Sequence, residues 1–148
     1  GVDVALVSRY FGSKEGLFRD VLGGARNKEI LPAGLPPEKI PEYLSTLFLS
    51  ENDDANENVE RLLIILRSAS SSAAAQVVSE ALRKDVLLPF AERLGGGSPE
   101  MRASTSMAVW MGMTIMRTVI AVEPMCMQSP EIETKLRALF EAALSEVR

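Results

Sequence analysis

The sequence predicts an all-α protein. Apolar residues recur at spacings of three and four along most of the chain, and Asp3, Ser13 and the Ser-Pro pairs at 98–99 and 129–130 mark helix starts. No run alternates apolar and polar residues with the period of two that a half-buried strand requires.

Taken in order, Asp3 is an N-cap for a short helix with Val4, Val7 and Phe11 at helical spacing, and Gly12 stops it. Ser13 caps a second helix whose apolar face is Leu17, Phe18, Val21 and Leu22, weakened by Gly23-Gly24 and continued by charged residues toward Leu31. LPAGLPPEKIPEY, residues 31–43, is turn-rich, and a short helix follows over Pro37 to Leu49 with Pro41 in its first turns. SENDDANEN, residues 50–58, is a polar loop. Glu57 to Ala69 carries Val59, Leu62, Leu63, Ile65 and Leu66 almost all round, so that helix is expected to be buried on more than one side.

Ser70-Ser71-Ser72 breaks the pattern, and Ala73 to Leu94 reads as a long amphipathic helix bent near Pro89. GGGSPE, residues 95–100, is a flexible connector with Ser98 as N-cap and Pro99 at the first helical position. Pro99 to Val122 then forms a helix of about 24 residues, roughly 36 Å long at 1.5 Å per residue, which Pro124 ends. Ser129 and Pro130 open the last helix, Glu131 to Arg148, with Ile132, Leu136, Leu139, Phe140, Ala143 and Val147 on one stripe.

Composition bounds the function. With 148 residues, 47% apolar and 24% charged, the chain is long enough for one domain with a real core or for a module of a larger protein. It opens on Gly1 and not on Met, so it is expected to begin inside a longer protein. No apolar run approaches the roughly 20 residues of a membrane span, and no signal-peptide pattern is present, so no membrane partner is expected. A single cysteine excludes an internal disulfide framework and fits a reducing cytoplasm. The absence of histidine removes His-based zinc sites and Ser-His or Cys-His nucleophile pairs, so no enzyme, metal or cofactor is expected. Residues 1–28 hold five basic and three acidic groups, net +2, whereas residues 29–148 hold eleven basic and seventeen acidic, net −6. A mildly basic head on an acidic body points to an anionic partner for the head alone.

The head carries the most specific motif. Gly1-Val2-Asp3, Val4 to Phe11, Gly12-Ser13-Lys14-Glu15 and Leu17-Phe18 fix a turn, a helix of one length, a second turn and a cap. Together they resemble the second half of the helix-turn-helix of the tetracycline-repressor (TetR) family. The detailed resemblance covers about the first 25 residues. Beyond them it rests on an all-α body with two long last helices and on RTVIAVEP, Arg117 to Pro124, which resembles a segment of actinobacterial members. The resemblance implies a division into residues 1–24, the end of a DNA-binding head, and 25–148, a ligand-binding and dimerisation body, with two further helices of the head upstream of Gly1.

In such a head the recognition helix lies in the major groove of a palindromic operator. Val2, Val7, Phe11, Leu17 and Phe18 suit its packed side, leaving Val4, Ala5, Leu6, Ser8, Arg9 and Tyr10 for DNA. Arg9 pairs with guanine or phosphate, Ser8 and Tyr10 with phosphate or bases, and Ala5 and Leu6 with a thymine methyl. Lys14, beside the amides opening the next helix, suits a phosphate. Family members often have polar residues where Val4 and Leu6 stand, and Tyr where Ser8 stands, which implies thinner base readout. Without the flanking spacing, Arg-Tyr-Phe-Gly reads as a surface turn with two packed aromatics.

In the body, all seven methionines fall between Met101 and Met127, around Trp110. Methionine adapts to varied apolar partners, so the cluster is either a pocket for a small apolar ligand or plain core filling. Ser104, Ala108 and Gly112 put small residues at four-residue spacing, where another helix approaches closely. With Ile115, Val119 and the Ile132, Leu136, Leu139, Phe140 and Ala143 stripe they resemble the family's dimer interface, a four-helix bundle of the last two helices of each subunit. The opposite side, Trp110, Met113, Thr114 and Arg117, is then the candidate ligand face. Arg117 needs a partner: Glu123, another internal acid, or an acidic ligand.

Met125-Cys126-Met127 is either a soft-metal or redox triplet or a loop cysteine between two packing methionines, and the lack of a second Cys or His favours the latter. Glu51, Asp53, Asp54 and Glu57 read as a solvated loop better than as a cation site. The resulting expectation is a cytoplasmic, homodimeric, ligand-responsive repressor. A helical carrier of small molecules, with a purely structural head, is the competing reading.

Overall fold

In the computed structural model the described residues are 31–50, 59–60, 62–64, 66–67 and 72–146. The expectations for Val4, Ala5, Leu6, Ser8, Arg9, Tyr10 and Lys14, and for the Glu51, Asp53, Asp54 and Glu57 loop, lie outside them, as do those for Ile65 and Val147.

Pro36-Pro37 cannot donate backbone hydrogen bonds, so the chain enters its first described helix through a single 3₁₀ turn, Pro37–Lys39. Helix α1, Ile40–Leu49, continues it with Pro41 in the first turn, where a missing N–H costs nothing. Its start carries an exposed ion pair, Lys39 Nζ to Glu42 Oε2 at 3.0 Å. The Lys39 hydrogen bond and charge hold the Glu42 carboxyl below its ordinary value. The described residues between 59 and 67 are helical; Leu62 is buried, Val59, Leu63 and Ile64 are half-buried, and Leu66 is exposed.

Residues 72–94 run as one helix in three parts: α2, Ser72–Leu82; a π-helical turn, Arg83–Leu87; and α3, Leu88–Leu94. The sequence placed a bend at Pro89, and the π turn just before it accommodates that proline. Pro89 has no N–H to return and its ring would press on the carbonyl four residues back, so the helix widens by one residue ahead of it. Gly95 ends α3 with φ 57°, donating to the Ala91 carbonyl at 3.1 Å.

Helix α4, Pro99–Thr114, passes into a second π turn, Ile115–Val119. The helix therefore stops three residues short of Val122. The Val122 N–H bonds the Met116 carbonyl at 3.0 Å, and Ala121 takes a left-handed φ of 54° that closes the end. Ser98 does not cap α4 with its side chain; its φ of 46° turns the hydroxyl away from the amides, and only its carbonyl accepts, from Arg102 N at 3.1 Å. Ser129 does cap the last helix, α5, Pro130–Leu144, its Oγ accepting from Ile132 N at 3.3 Å. Helix α5 ends at Leu144, before the Arg148 expected from periodicity. No strand occurs among the described residues.

Helix α5 lies against both α1 and α4, and α3 lies against α4. The core between them is Leu31, Ile40, Leu44, Phe90, Ala91, Ala103, Leu136 and Phe140. Ala103 has no exposed surface, because a small side chain there lets α4 close on its neighbours. Ala103→Leu is therefore expected to overpack this contact and lower stability by about 1–3 kcal/mol, read as a lower urea midpoint with unchanged slope.

The three glycines after α3 form an ordered junction, not the flexible connector expected. Arg102 Nη2 donates to the Gly95 carbonyl, Arg102 Nη1 to the Leu144 carbonyl at 3.4 Å, and Gly97 N to Glu146 Oε1 at 3.0 Å. A Cβ on Gly96 would run into the Glu146 carboxylate. One arginine thus joins the C-terminal ends of α3 and α5, supplying donors to carbonyls that helix ends leave open.

Candidate ligand-binding face

Helix α4 divides its residues between two sides. Ala103, Ser106 and Thr114 are buried, and Val109, Trp110 and Met113 pack against the core; Met101, Ala108 and Gly112 are exposed and Ser104 is half-buried. The sequence-predicted ligand face thus falls on the inner side and the small-residue face on the outer.

Trp110 holds the inner side together. Its indole meets Phe48 of α1 edge-on, ring centroids 5.2 Å apart at 87°, and Phe140 of α5 at 6.2 Å and 46°. Such geometries set the positive ring edge of one aromatic toward the face of another. Phe48 is the member that sequence reading missed: it lies 62 positions before Trp110, and only the packing of α1 on α5 brings it here. Thr114 Oγ1 donates to the Trp110 carbonyl at 2.8 Å, a bond within the helix that leaves the hydroxyl only acceptor capacity.

Arg117 projects from the second π turn, with its guanidinium carbon 6.0 Å from the Phe48 ring centroid. Its Nη1 is sealed from solvent and has no hydrogen-bond partner. No carboxylate among the described residues pairs with it, and Glu123, one of its candidate partners, is exposed in the following turn.

The methionines do not form one lining. Met113 packs against the core, whereas Met101, Met116 and Met127 are exposed. Cys126, between half-buried Met125 and exposed Met127, is free and half-buried. Among the described residues no group of three His, Cys, Asp or Glu side chains is placed to hold a metal.

The residues proposed for a dimer face also divide. Ile132, Leu136, Phe140 and Ala143 are buried in the chain's own interior, Leu136 and Phe140 completely, because α5 turns that stripe toward α1 and α4. Ile115 is half-buried. Ala108, Gly112, Val119 and Leu139 are exposed, Leu139 at 45%.

The described residues thus define an all-helical body with an aromatic and cationic inner face. A family model described as tetracyclin repressor-like, C-terminal domain, matches residues 38–145. The chain belongs to this TetR-like C-terminal domain family. No curated protein and no solved structure matches the chain. Among the described residues no helix is long and apolar enough to cross a membrane.

Proposed function

We propose that the protein is a cytoplasmic transcriptional regulator, a repressor, whose affinity for a palindromic operator is set by a small, mostly apolar ligand on the inner face of α4. The family match over residues 38–145 is the observation that carries this reading. The helix-turn-helix spacing of residues 1–18 supports it from the other end of the chain. In this reading Val4, Ala5, Leu6, Ser8, Arg9, Tyr10 and Lys14 face DNA. Trp110, Met113, Thr114 and Arg117, joined by Phe48, face the ligand.

A homodimer sets two recognition helices about 34 Å apart, in successive major grooves. The exposed outer residues Ala108, Gly112 and Val119 of α4 and its π turn, with half-buried Ser104 and with Leu139 of α5, are the surface offered to the second copy. Regulation then requires that the ligand bind the two arrangements of the dimer with different affinity.

The test is operator binding by the protein with its complete head, measured over a range of salt. Arg9→Ala is expected to weaken a specific site by about 1–3 kcal/mol and relax its sequence preference. Lys14→Ala should weaken all sequences alike and lower the salt slope by about one. A protein that shows no salt-dependent preference for any palindrome near its own promoter is not this regulator.

A further inference from the structure

Arg117 has a cation's chemistry, and no carboxylate among the described residues pairs with it. A guanidinium offers five N–H donors and no acceptor. Its Nη1 is nonetheless withdrawn from water with no acceptor, while Phe48 covers its flank. Leaving a donor of this kind unpaired is unfavourable, and more so when it carries charge. The turn presenting Arg117 is π-helical, a wider turn often found where a helix serves a site. Phe48 in turn meets Trp110 edge-on, and Met113, one helical turn before Arg117, packs against the same core.

We propose that this face takes a monocarboxylate on an apolar body. The carboxylate accepts from the Arg117 guanidinium, and the body lies along Phe48, Trp110 and Met113. A planar carboxylate matches the donor fork of a guanidinium, and the pair forms where water is excluded, so it discriminates against a neutral ligand of equal size. This rests on the proposed ligand reading and narrows it to an anion.

The chain's sole tryptophan, Trp110, sits at the site and reports on it. Decanoate and decan-1-ol are titrated into the 148-residue chain while Trp110 emission is followed. Decanoate is expected to give a saturable change at least tenfold tighter than decanol. Arg117→Met should abolish that preference while leaving the decanol response in place. A decanoate affinity within twofold of wild type in Arg117→Met, or equal affinities for acid and alcohol in the wild type, overturns the proposal. Thermal melting of the wild type is the second reading, in case the variant folds poorly: decanoate should raise Tm more than decanol, and an equal or absent shift also overturns it. Operator binding is measured separately with the complete head. Its loss beside an intact decanoate response sinks the regulatory reading alone, and a flat decanoate response beside intact operator binding sinks this inference alone.

Discussion

Phe140→Ala is expected to lower the unfolding free energy by about 3–5 kcal/mol. The ring has no exposed surface, meets Trp110 at 6.2 Å, and belongs to the cluster shared by α1, α4 and α5. Removing it opens a cavity that three helices cannot all close. At roughly 3 °C per kcal/mol for a chain of this length, Tm should fall by about 10 °C or more. The neighbouring position gives the contrast. Leu139 is 45% exposed, so Leu139→Ala should change monomer stability by less than about 0.5 kcal/mol. Urea unfolding of both variants decides the matter. Equal losses would mean that α5 does not turn Phe140 inward.

The second large effect falls on Arg102, whose residue surface is only 8% exposed. Arg102→Met keeps the apolar stem but removes the donors to the Gly95 and Leu144 carbonyls, and is expected to cost about 2–3 kcal/mol. Arg102→Lys should recover only part of this, because a single ammonium cannot reach two helix ends as a planar fork does. The ion pair itself contributes little: Glu146 lies 3.8 Å from Nη1 with an exposed carboxylate. Glu146→Gln should therefore be mild, and 1 M salt should leave the Arg102→Met difference nearly unchanged. A large salt effect would reassign the stabilisation from carbonyl capping to charge pairing.

These two residues also show how far the sequence could be read. Helix periodicity and proline placement located α1, the helix of residues 72–94, α4 with its π turn, and α5 to within about four residues, since those signals are local. The same periodicity identified the α5 stripe but could not say which surface it covers. An amphipathic face fits a partner subunit or the chain's own core equally well, and the structure gives Ile132, Leu136, Phe140 and Ala143 to the core. Arg102 drew no notice because its partners lie 7 and 42 positions away, and a buried arginine has no sequence signature distinct from a surface one. Trp110, Met113 and Arg117 were placed together because they share one helix. Phe48 joined them only through tertiary packing.

The π turns mark a second limit. Nothing in RKDVL or IMRTV forbids an α-helix, so each widened turn answers a demand from elsewhere. For the first, that demand is Pro89. For the second, the widened turn coincides with the position that sets Arg117 above Phe48.

The glycine junction between α3 and α4 also has a timing. Its acceptor and anchor, the Leu144 carbonyl and the Glu146 carboxylate, are 42 and 49 positions beyond the groups they bind. At synthesis rates of about 5–20 residues per second, roughly 2–10 s separate the two halves of that contact on the ribosome. During that interval α1 and α4 exist without the helix that covers them, and Ile40, Leu44 and Ala103 face water. The nascent chain thus carries this apolar surface uncovered until α5 emerges.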